Sequence, residues 1–164
     1  MSHPTTLTHA LWDGLRTLYR KVRRVVATSS EHGGRALVVP AGVSTVEAAL
    51  GRRYFAPNWE FSYHERGEDL NLARIEFAPQ TVADHEYTWW QTHVRGWSQP
   101  DGSVRLRPHY ELEPTENDQD HIDGIGVDIG LGMDQVAAAL DAEGIDYERR
   151  SDLPPGGDPK GEHS

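Results

Sequence analysis

Two short segments of this chain carry the side chains best suited to chemistry. His93 and Arg95 lie in one, Arg107 and His109 in the other, and Glu111 follows two residues later. Imidazoles exchange protons near neutral pH and ligate metals, while guanidinium groups grip oxyanions through paired N–H donors. Two or three imidazoles beside a carboxylate suit zinc, nickel or iron, with a position left for water. The candidate metal ligands are His93, His109 and His121, and a divalent metal is the cofactor such a set would take. A metal-free alternative has His93 and His109 acting as general acid and base with Glu111, while Arg95 and Arg107 hold an oxyanion.

These residues meet only if their segments pair. Residues 87–97 and 104–113 alternate as strands, and Pro100-Asp101-Gly102 between them is turn chemistry. Setting Trp90, Thr92 and Val94 on one inner face with Leu106, Pro108 and Tyr110 requires paired numbers that sum to 202. On the other face this register puts Arg95 opposite Arg107, His93 opposite His109, and Gln91 opposite Glu111. Opposed arginines repel unless an anion or a carboxylate lies between them. That second face is expected to be wet, and Trp89 and Trp97 fall on it. Exposed aromatics beside Arg have the composition of a recognition surface. The candidate ligand-binding set is therefore Trp89, His93, Arg95, Trp97, Arg105, Arg107, His109 and Glu111. His121 and Asp123, from an acidic loop over 115–123, would fold back over it.

Other elements must position this hairpin. Leu7, Leu11, Leu15, Leu18, Val22 and Val25 line one face of a helix over 5–27. Its last turns carry Arg16, Arg20, Lys21, Arg23 and Arg24, which complement the helix dipole and form the one candidate contact for nucleic acid. Arg35–Val39 is β-branched and strand-like, and Ser44-Thr45-Val46-Glu47 matches a capping box for a helix over 44–53. Trp59, Phe61 and Tyr63 alternate ahead of a turn at 65–68. Leu70 and Leu72 are out of phase with Ile75 and Phe77, which predicts a bulge near Ala73. Met133, Val136, Ala137 and Leu140 predict a helix over 132–143 that Gly144 stops, and 145–148 follows as an edge strand.

Composition narrows the class. The 164 residues hold no cysteine, which excludes disulfides, thiolate zinc sites and cysteine catalysis. Aspartate and glutamate number 26 against 16 basic residues, of which 14 are Arg and only two Lys, for a net charge of −10. This acidic, lysine-poor surface is of halophilic type and argues against a general nucleic-acid binder. No apolar run is long enough for a membrane span, so a cytoplasmic protein without membrane attachment is expected. The Gly124–Gly130 run is spaced GxGxxxG and follows an acidic loop, so it does not make a dinucleotide site. Asp118, Asp120 and Asp123 miss the calcium-loop spacing. No GxSxG, HExxH, P-loop or SxxK motif is present.

The expected fold is α+β: an antiparallel sheet of four to six strands with N-terminal, short internal and C-terminal helices packed on it. Residues 1–150 form one domain, and the Pro/Gly-rich residues 151–164 form a disordered tail. Three functions follow. The first is a binding or regulatory module using the Trp/His/Arg face, with a protein partner, a second copy of itself or an anionic small molecule. The second is a small hydrolase or nuclease-like enzyme using His93, His109 and Glu111. The third is a nucleic-acid contact through the basic first helix.

Overall fold

β-branched and aromatic residues alternate with polar ones along most of the chain's middle third, and in the computed structural model this third becomes the centre of a sheet. The structure describes residues 34–58 and 67–153. In chain order these form β1 (Gly34–Val39), α1 (Val43–Arg52), β2 (Ala56–Pro57), β3 (Leu70–Val82), β4 (His85–Ser98), β5 (Val104–Leu112), α2 (Asp118–Ile122), α3 (Ile129–Asp141) and β6 (Glu148–Leu153). The six strands lie in the order β2-β3-β4-β5-β1-β6, with every neighbouring pair antiparallel. Among the described residues three helices accompany the sheet, so the fold is α+β as the sequence pattern predicts. No helix among the described residues is long and apolar enough to cross a membrane.

The core lies on one face of the sheet. Val46 and Leu50 of α1 and Met133, Val136, Ala137 and Leu140 of α3 pack over Leu37, Val39, Leu72, Val94 and Leu106. Burying each large side chain of this kind contributes roughly 1.5–3 kcal/mol. A second cluster joins Trp90, stacked on Tyr110 at 5.2 Å, to Tyr87 and Leu112. Gly132, in the first turn of α3, lets the helix lie directly on β5. A Cβ there would stand 2.4 Å from the backbone of His109.

Several local expectations are corrected. The capping box does not form: α1 begins at Val43, with Gly42 as an extended N-cap and no side-chain cap. Val43 packs against the core, and this draws the helix start one residue upstream of Ser44. The bulge in β3 falls between Phe77 and Gln80, not near Ala73. Pro79 has no N–H to donate and so marks the break. The phase conflict is resolved by exposure, since Ile75 and Phe77 are 54% and 62% exposed. The acidic loop contains the short helix α2, whose Asp118 and Asp120 suit its positive end.

α3 begins at Ile129, where the Asp128 side chain caps the Leu131 N–H. Gly144 follows it at φ +66°, a helix-terminating geometry. The edge strand runs over 148–153 instead of 145–148, so pairing with β1 continues to Leu153. The predicted helix over 5–27, the alternating residues 59–63 and the rest of the tail lie outside the described residues.

Candidate functional site

The β4–β5 ladder has the register that its sequence pattern requires. His93 pairs with His109, Arg95 with Arg107 and Gln91 with Glu111, all on the face opposite the α1/α3 core. The face is not wet at its centre, however. Gln91 and His93 are each 3% exposed and Glu111 6%. Polar groups tolerate such burial only when they satisfy one another, and residues from β2 and β3 supply the partners.

Asn58 follows β2, and its N–H donates to the Asn71 carbonyl at 3.1 Å, which carries the β2–β3 pairing one step further. Asn71 precedes Leu72 on β3 and shares the face of His93. Glu68, just ahead of β3, is buried, and its Oε2 accepts from Arg95 Nη1 at 2.8 Å. The Asn71 amide nitrogen donates to Glu68 Oε1 at 3.2 Å. Asn71 Oδ1 then lies 2.7 Å from His93 Nε2, while the Asn58 amide nitrogen stands further off at 3.5 Å. The other ring nitrogen, Nδ1, is 3.0 Å from Glu111 Oε1, and that oxygen accepts from the Gln91 amide nitrogen at 2.8 Å. His109 Nε2 is 3.0 Å from Glu111 Oε2. A carboxylate, Glu68, thus offsets the Arg95–Arg107 repulsion.

Burial pushes the His93 imidazole down to about 4, and Arg95 and His109 add to that effect against the pull of Glu111. Burial alone would raise the Glu111 carboxyl, but the hydrogen bond with His109 leads the effects that outweigh it and hold the group well below the usual carboxylate range. The cluster is therefore a fixed anion between two imidazoles.

The site opens on one side. β1 pairs with β5 only from Leu37–Leu106 to Val39–Val104, and further along β5 Tyr110 pairs with Asp128. A cleft of about 470 Å³ lies in this region, lined by Arg35, Arg95, Arg107, His109 and Glu111, with Val127 and Ile129 at its apolar side. His109 is a quarter exposed there.

The structure thus brings His93, His109, Glu111, Arg95 and Arg107 together and separates the remaining candidates. Arg105 lines a smaller cleft with Gln99 and Arg150, and Trp97, opposite it on β4, is buried. Trp89 is 40% exposed and makes an edge contact with Phe77. His121 does fold over the site, but its Nδ1 sits 2.9 Å from the Leu112 carbonyl and 3.6 Å from Glu111. Among the described residues, the group whose possible ligand atoms lie close together is His93, His109 and Glu111, and His121 is not part of it. Asp123 instead accepts from Gln119. Arg16, Arg20, Lys21, Arg23 and Arg24 lie outside the described residues.

Asn58, Glu68 and Asn71 were missed from sequence. The available signal was Asn71, a polar residue between two leucines, whose period-two position places it on the histidine face. No protein-family model, curated protein or solved structure matches this chain.

Proposed function

We propose that the chain is a binding module for a small anionic molecule carrying a phosphate or carboxylate group, which it holds in the cleft beside His109. The observation that carries this reading is the convergence of Arg35, Arg95 and Arg107 on one cleft in a protein of net charge −10. A cationic cleft in an acidic surface focuses anions locally, and guanidinium forks match phosphate and carboxylate oxygens. Calorimetric titration of EDTA-treated protein with inorganic phosphate and with succinate tests it. Saturable binding that weakens with salt is expected, reduced roughly tenfold, or about 1.4 kcal/mol, by Arg35→Gln or Arg107→Gln. Absence of binding, or binding indifferent to both variants, contradicts it.

The His109–Glu111 contact at the cleft favours a second reading, a small hydrolase in which the carboxylate orients the imidazole as a general base. Hydrolysis of a phosphate ester that His109→Ala abolishes would support this reading over simple binding.

A further inference from the structure

Hydrogen-bond bookkeeping around His93 leaves one contact that needs a positive charge. Glu68 can only accept at both oxygens, since Oε2 takes the Arg95 guanidinium and Oε1 faces Asn71. The Asn71 group turned to Glu68 is therefore its N–H, and Asn71 Oδ1 is fixed toward His93. A neutral imidazole has one ring proton. The 2.7 Å contact to Asn71 Oδ1 places that proton on Nε2. Nδ1 then presents a lone pair to Glu111 Oε1 at 3.0 Å, an acceptor facing an acceptor.

This is the arrangement of a metal-binding histidine, whose remote N–H is held by a fixed oxygen that is itself hydrogen-bonded. His93, His109 and Glu111 each offer a ligand atom within 4.8 Å of the others, and the ring nitrogens that face the Glu111 carboxylate are Nδ1 of His93 and Nε2 of His109. The two nitrogen-to-carboxylate separations are 3.0 Å each, close to the edge between neighbouring ligands around a small divalent ion. His109 and Glu111 also line the cleft, so the remaining coordination positions face it.

We propose that His93 Nδ1, His109 Nε2 and the Glu111 carboxylate bind one divalent transition-metal ion of the zinc or iron type, oriented by the Asn71–Glu68–Arg95 relay behind His93. Two imidazoles and one carboxylate suit zinc or iron and leave positions for water or an anion from the cleft. The inference stands on the His93 contacts and deepens the anion reading, because the ion would add a ligand site to the same cleft.

The full chain, stripped with EDTA, is titrated with zinc chloride alone and with cobalt(II) chloride, whose visible bands report the ligand set. One ion per chain is expected, with binding abolished by Glu111→Gln or His109→Ala and unchanged by His121→Ala. Asn71→Ala should weaken affinity roughly 10–100-fold while leaving one site. His109 is partly exposed, so its variant keeps the test decisive if Glu111→Gln does not fold. Lack of saturable binding to the wild type, or wild-type affinity in His109→Ala, overturns the proposal. With no phosphate or succinate present, that failure leaves anion binding untouched. Loss of anion binding in stripped protein likewise leaves the metal site standing.

Discussion

His93 and His109 stand directly opposite one another on β4 and β5, their rings edge to face with centroids 4.9 Å apart. One is sealed beneath the sheet's polar face and the other borders the cleft, so the same carboxylate, Glu111, touches a dry imidazole and a wet one. The difference in depth arises from the neighbours. Asn58 and Asn71 meet the ring of His93, whereas His109 lies near the point where β1 leaves β5.

The position of His109 depends on Gly132. An added methyl group would sit 2.4 Å from the His109 backbone, and a strand backbone cannot yield as a flexible side chain does. Gly132→Ala should therefore push α3 off β5 and cost about 1–3 kcal/mol, the range for overpacking. Urea unfolding would measure the loss. Stability equal to the wild type would show that α3 does not pack so closely on β5.

The β3–β4 hairpin turns through Ala83 and Asp84, both at positive φ, +50° and +68°. Two-residue turns of this hand favour Asn-Gly, since most side chains are strained there. The double substitution Ala83→Asn with Asp84→Gly should stabilise the fold by about 1 kcal/mol. A raised thermal midpoint with unchanged ligand binding is expected, because the turn is remote from the cleft residues.

Acid should destabilise the metal-free protein before ordinary carboxylates titrate. Folding moves His93 from 6.5 to about 4, chiefly through burial, so between those values the unfolded chain holds a proton that the folded one lacks. Stability is therefore lost as pH falls through this window, by up to about 3 kcal/mol. Glu111, held low when folded, adds to the loss below its unfolded value of 4.5. Urea midpoints measured from about pH 7 to about pH 4 should decline in the wild type and flatten in the upper part of this window in His93→Gln. An equal decline in both would assign the effect to other groups.

Much of this arrangement was legible in the sequence because a strand's side chains alternate strictly, and a buried inner face permits one register. Matching Trp90, Thr92 and Val94 to the apolar face of β5 was enough to place His93 opposite His109. Depth was not legible. Whether a polar face is wet depends on what lies over it, and Asn58 and Glu68 reach His93 and Arg95 through the pairing of β2 and the approach to β3, which alternation within one hairpin cannot reveal. The bulge was misplaced because the apolar pattern of Ile75 and Phe77 implied burial, whereas the missing N–H of Pro79 was the stronger signal.

The ring nitrogens of His93 decide whether Nδ1 is free to bind a metal ion. Long-range proton–nitrogen correlation spectra of the full chain, recorded before and after one equivalent of zinc chloride, report which nitrogen carries the proton and which binds metal. A proton on Nε2 throughout is expected, with Nδ1 moving to a metal-bound shift on adding zinc. A neutral ring protonated on Nδ1, or a ring whose two nitrogens do not respond to zinc, would contradict it.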